Sequence, residues 1–272
     1  MENWTQNQYC IAQNKITKGV FEMKNAIKVK NLSKSYGKSE IISNISFSVN
    51  AGDIVAIFGP NGCGKSTLLN ILAGINHKTT GEIEIAEFDS KKFSYIFQNY
   101  RDSLLPWKNN FDNITFPLKL SGTSKEEIKI RVMEIESLFK FSQNFNNYPY
   151  ELSGGQQQLI AFMRGVVIRP KIIFLDEPFS ALDYENNLLL RKHLQNYYVK
   201  YKPTILAVTH DIEEAVHLAN KIIVLSKKPS VIVEIIENNA PYPRNTNFLN
   251  SREFGKIKEK VLNAFQRGVE YE

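Results

Sequence analysis

Gly59-Pro60-Asn61-Gly62-Cys63-Gly64-Lys65-Ser66-Thr67 is the stretch that decides the fold of this chain. The apolar run Asp53-Ile54-Val55-Ala56-Ile57-Phe58 before it reads as a buried parallel strand, and Ser66 through Leu72 reads as a helix. Strand, glycine-rich turn and helix in that order predict a phosphate-binding loop. Gly59, Gly62 and Gly64 let the backbone curl so that successive N–H groups face anionic oxygens, and the helix start adds partial positive charge. Pro60 and Asn61 belong to the turn, and Cys63 reads as a small filler whose backbone N–H matters. Lys65 supplies a mobile cation for β- and γ-phosphates, and the Ser66 hydroxyl, followed by Thr67, is placed to ligate Mg²⁺.

A second apolar run, Lys171-Ile172-Ile173-Phe174-Leu175, delivers Asp176 and Glu177 to its carboxyl end, where open parallel sheets place their ligands. Asp176 suits the coordination of Mg²⁺, which prefers oxygen ligands and retains waters. Glu177 is the candidate to polarise an attacking water. Upstream, Leu152-Ser153-Gly154-Gly155-Gln156 reads as another helix N-terminus, with Ser153 as cap and two glycines exposing backbone N–H groups.

Taken together, these segments resemble the ATP-binding subunits of ABC transporters, over roughly Ala26 to Lys228. The resemblance implies an α/β fold: a P-loop NTPase (RecA-like) core with an antiparallel β subdomain and a helical signature-loop subdomain. It implies ATP and Mg²⁺ as cofactors, and a dimer in which Ser153, Gly154, Gly155 and Gln156 reach the γ-phosphate held by a second copy. Gln98, after Ser94-Tyr95-Ile96-Phe97, matches the glutamine that watches the metal and the attacking water. Asp183, in Ser180-Ala181-Leu182-Asp183, matches the loop that crosses the dimer seam. His210 matches the histidine that contacts the γ-phosphate, and Tyr36 falls where the family stacks an aromatic ring on adenine. The chain departs from the family pattern at Leu159, at Gly165 and in Tyr184-Glu185-Asn186-Asn187; none of these touches phosphate or metal in the family.

The 272 residues, 43% hydrophobic and 23% charged, suffice for a full core. No apolar run approaches the ~18 residues of a membrane span, so a transport role requires a separate membrane partner. The opening residues lack an apolar signal-peptide region, and two unspaced cysteines, Cys10 and Cys63, form neither a disulfide framework nor a zinc site. These features lead us to expect a peripheral protein on the cytoplasmic face of the inner membrane. The net charge of +6 is dispersed, with no run of five like charges, and no nucleic-acid partner is expected.

Residues 1–24 read as a polar tail expected to be poorly ordered, with Met23 an alternative start; residues 25–240 read as the ATP-binding domain. Within that domain, residues from about 99 to 165 form the helical subdomain, where Ser124-Lys125-Glu126-Glu127 reads as a capping box. Residues 241–272 hold a linker and an amphipathic helix with Phe254, Ile257, Val261, Leu262 and Phe265 on one face. Ser103-Leu104-Leu105-Pro106-Trp107, with Asn113-Ile114 and Leu225-Ser226-Lys227-Lys228-Pro229, resembles importers of the nitrate, taurine and aliphatic-sulfonate group. The resemblance therefore implies transmembrane permease subunits and, indirectly, an extracytoplasmic solute-binding protein. An exporter subunit, an ABC-type ATPase acting on nucleic acid or ribosomes, and a regulatory module without turnover are the alternatives.

Overall fold

The computed structural model describes residues 25–86, 93–180 and 182–270. The tail of residues 1–24, with Cys10 and Met23, and Ala181 of the seam loop lie outside the described residues.

Among the described residues, nine strands form two sheets. β1 (Asn25–Tyr36), β2 (Ser39–Asn50) and β4 (Thr80–Ile85) make a three-stranded antiparallel sheet in the order β2-β1-β4. β3 (Ile54–Phe58), β5 (Phe93–Ile96), β6 (Ile172–Asp176), β7 (Thr204–Thr209), β8 (Lys221–Leu225) and β9 (Ile232–Glu237) make the second, in the order β5-β6-β7-β3-β8-β9. All its neighbours are parallel except β8 and β9. This is the sheet of a P-loop NTPase, and the phosphate loop leaves from its interior strand β3.

The continuous apolar runs of β3, β6, β7 and β8 follow from burial on both faces. Alternate residues of each strand feed different cores. Ile54, Ala56 and Phe58 of β3 join Ile173, Leu175, Ile205, Ala207, Ile222 and Val224 on one side. Val55 and Ile57 join Ile172, Phe174, Leu206, Val208, Ile223 and Leu225 on the other. This second core is capped by α1 (Lys65–Leu72) and by the antiparallel sheet, through Ile27, Val29, Ile45 and Phe47. The two-residue period of a strand therefore divides one hydrophobic run between two layers.

Between β5 and β6 the described chain is helical: α2 (Tyr100–Ser103), α3 (Asn110–Leu120), α4 (Lys125–Phe139), a single 3₁₀ turn (Pro149–Glu151) and α5 (Gly154–Val166). α6 (Tyr184–Tyr201) and α7 (Ile212–Leu218) cover the first core, followed by α8 (Thr246–Leu249) and α9 (Arg252–Glu270).

Two local expectations need correction. Ser124 caps α4 by accepting from the Glu127 N–H at 3.2 Å, but the reciprocal half of the box is replaced. The Glu127 carboxylate instead accepts from Arg131 Nε at 2.7 Å, one turn along the same helix. In α9 the buried face is Phe254, Ile257, Val261, Ala264 and Gly268, whereas Leu262 is 45% exposed. Those five keep the three-and-four spacing of a single stripe, and Leu262 stands about 100° round the axis from Val261. Phe265 is partly buried at the margin, its ring 5.3 Å from that of Phe58.

Candidate active site

β3 ends at Phe58 and the chain turns through Gly59–Gly64 into α1. Gly62 (φ +76°) and Gly64 (φ +109°) take left-handed backbone that glycine adopts at little cost. At Gly64 space forbids a side chain as well, because a Cβ would lie 2.8 Å from Ile41 Cγ2. α1 opens without a side-chain cap, so its positive end faces the loop. The Lys65 side chain is buried and donates from Nζ to the carbonyls of Gly59 and Pro60, each at 3.0 Å. Cys63 is buried, and burial pushes its thiol pKa up, which suits a packing role better than a reactive one.

The loop floors a cavity of about 350 Å³, lined also by Tyr36, Asn61, Ser66, Thr67, Glu177 and Lys228. Tyr36 is half exposed at this cavity, and its hydroxyl accepts from Asn76 Nδ2 at 3.2 Å.

Behind the loop stand the two carboxylates at the end of β6. Ser66 Oγ donates to Asp176 Oδ1 at 2.7 Å, and Tyr95 Oη donates to Asp176 Oδ2 at 3.1 Å. Burial raises the Asp176 pKa; the hydrogen bonds from Ser66 and Tyr95 oppose that shift, and the neighbouring Glu177 charge adds to it. A hydroxyl and a carboxylate side by side form a hard oxygen donor set of the kind Mg²⁺ takes. Gln98 Nε2 donates to Glu177 Oε2 at 3.1 Å, and His210 Nδ1 lies 3.1 Å from the same oxygen. Three sequence-distant segments, carrying Gln98, the adjacent pair Asp176-Glu177, and His210, are thus gathered at one end of the parallel sheet, beside the phosphate loop.

Ser153, Gly154, Gly155, Gln156 and Asp183 occupy a different part of the surface. Ser153 caps α5, accepting from the Gln156 N–H at 3.4 Å, while Gln156 Oε1 accepts from the Ser153 N–H at 3.0 Å. Asp183 caps α6 and accepts from the N–H and Nδ2 of Asn186 at 2.9 and 2.7 Å. Asn186 also abuts Gly155, where a Cβ would lie 3.1 Å from its Cγ. The loop ending at Asp183 and the Gly154-Gly155 pair are therefore neighbours of each other, and neither lines the cavity beside Gly62 and Gly64.

Two contributors lacked a signal in the sequence. Tyr95 sits in a four-residue strand where an aromatic reads as core. Ser230, fully buried, shares its one hydroxyl proton between the carbonyls of Cys63 and Ile41 and so braces the phosphate loop from the β8–β9 turn.

The family model described as ABC transporter matches residues 42–180. The chain belongs to the ABC transporter family. This ABC chain is 40% identical over 243 residues to an aliphatic sulfonates import ATP-binding protein of Bacillus cereus, covering 88% of the chain and 94% of that relative. It is 35% identical over 258 residues to the spermidine/putrescine import ATP-binding protein of Pasteurella multocida, covering 89% and 69%. Among solved structures it is similar to a dimeric ATP-binding cassette in a post-hydrolysis state bound to ADP and Pi. There the TM-score is 0.68 and the identity 30%, with 79% of this chain and all of that one covered. Family and fold make this ABC chain an ATP-binding, ATP-hydrolysing cassette. Among the described residues no helix is long and apolar enough to cross a membrane.

Proposed function

We propose that this chain is the ATPase subunit of a membrane importer for a small solute of the nitrate, taurine and sulfonate kind. The observation that carries the ATPase chemistry is the convergence of Gln98 and His210 on one oxygen of Glu177, beside the phosphate loop. Glu177 takes the role of general base toward water, with Gln98 and His210 fixing its carboxylate; Lys65 and the loop N–H groups hold the phosphates. Ser66 and Asp176 would hold Mg²⁺, with Gln98 at the margin, and the ion would neutralise charge building on the phosphate oxygens. Tyr36 would stack on the base.

The separation of Ser153–Gln156 and Asp183 from the phosphate cavity supports a head-to-tail dimer, in which each chain completes the other's nucleotide site. Dimeric relatives of known structure support the same assembly. The exposed Trp107 (71%) supports docking of permease subunits against the Leu104–Trp107 segment, which would hold the chain on the cytoplasmic membrane face. An extracytoplasmic binding protein would deliver the solute. The sulfonate-import names of the relatives at 39–40% identity support that solute class.

The test is Glu177→Gln. The variant is expected to keep ATP binding, form a stable dimer with MgATP by size exclusion with light scattering, and lose roughly 10²–10⁴-fold in phosphate release. Hydrolysis at the wild-type rate would remove Glu177 from the base role. Transport of taurine or an alkanesulfonate by vesicles carrying permease, receptor and this chain checks the solute.

A further inference from the structure

We infer that Tyr95 is a positioning residue for the metal carboxylate, tying Asp176 to the strand end that also carries Gln98. The inference rests on the metal reading of Ser66 and Asp176 above. β5 is the edge strand and pairs in parallel with β6, setting Tyr95 opposite Phe174 and Ile96 opposite Leu175. From there the phenol reaches Asp176 Oδ2 at 3.1 Å while Oδ1 accepts from Ser66 Oγ at 2.7 Å. Each oxygen of this buried carboxylate therefore has its own donor, and the group is locked against rotation with Oδ1 turned to Ser66.

The phenol is itself held in place. Its ring lies 4.4 Å from that of Phe97 and 6.4 Å from that of Phe174, centroid to centroid. Three residues on, Gln98 donates to Glu177. One strand end thus holds both carboxylates, and any displacement of it moves the metal ligand and the base together. The other side of Tyr95 lines a cavity of about 280 Å³ between β5, α3 and α5, shared with Phe97, Ser103 and Arg164.

Outer hydrogen-bond partners of metal ligands commonly change metal affinity by 10–100-fold. For Tyr95→Phe, which keeps the ring packing, Mn²⁺ affinity in the presence of ADP, read by electron paramagnetic resonance, should fall about tenfold. ADP binding in EDTA should stay within about twofold. The Mg²⁺ concentration for half-maximal ATPase should rise about tenfold, with kcat at saturating Mg²⁺ within about threefold. Phe97→Leu loosens the ring but keeps the phenol, and should leave Mn²⁺ affinity within about twofold. Wild-type metal affinity in Tyr95→Phe, or an equal loss in Phe97→Leu, overturns the inference. Asp176→Asn separates the two readings: if it too binds Mn²⁺ normally, the metal site itself is misplaced; if it alone loses Mn²⁺, only the role of Tyr95 fails.

Discussion

Glu177 holds its carboxylate on a backbone that few non-glycine residues adopt, with φ at +45° and its N–H donating to the Val208 carbonyl at 3.0 Å. A left-handed residue at the end of a buried strand costs about 1–3 kcal/mol and persists only where the surroundings impose it. Here the parallel neighbour β7 imposes it, and β7 also supplies His210 directly after its last residue. His210→Ala leaves Glu177 with Gln98 as its remaining side-chain partner. We expect kcat for ATP to fall roughly 10²-fold or more while MgATP affinity by equilibrium dialysis stays within about threefold. The phosphate-loop residues and the Asp176-Glu177 pair were legible because their chemistry demands fixed spacing along the chain. Gln98 and His210, 79 and 33 residues from Glu177, were legible only through family likeness. Tyr95 and Ser230 were not, because a partner brought by sheet order leaves no local pattern.

Among the elements, the segment between α2 and α3 shows how a buried amide can present an exposed ring. Asn113 is fully buried and ties the loop from inside. Its Oδ1 accepts from the Leu105 N–H at 2.9 Å, and the two hydrogens of its Nδ2 are shared among the carbonyls of Leu105, Lys108 and Asn109, which lie at 2.9–3.1 Å. Trp107→Ala should therefore leave folding and the ATPase of the isolated chain near wild type, yet reduce solute uptake with the permease present. Asn113→Ala should instead cost about 2–3 kcal/mol in urea unfolding, since it orphans several buried backbone groups. At β4, Gly81 has φ +91°, and a Cβ there would lie 2.5 Å from the Asn31 carbonyl oxygen. Gly81→Ala should destabilise by about 2–4 kcal/mol by the same measurement, because backbone cannot swing aside as a side chain does. Element types were legible wherever the hydrophobic period was long and regular. The misplaced Leu262 and the half-formed box at Ser124 were decided by neighbours that a one-dimensional period does not contain.

At the scale of the whole molecule, we expect acid tolerance to depend on a buried histidine of α7. His217 is buried in α7, with Nε2 3.0 Å from the Arg244 carbonyl oxygen and 3.4 Å from Gln195 Nε2. Burial, then the Arg191 charge, pull its pKa from 6.5 down to about 4. Its contribution to stability is complete above pH 6.5. It is lost as pH falls toward 4, because the unfolded chain takes up a proton that the folded chain refuses. The loss should approach about 3 kcal/mol, and His217→Gln should flatten that slope in unfolding measured between pH 7 and 4. The Lys227 N–H donates to the Gly268 carbonyl at 3.1 Å, and a Cβ on Gly268 would lie 2.9 Å from Val233 Cγ2. Three residues past Lys227, Ser230 grips the carbonyl of Cys63. Anything fused beyond residue 270 is thus mechanically two handholds away from the nucleotide, and a purification tag placed there would be no innocent passenger.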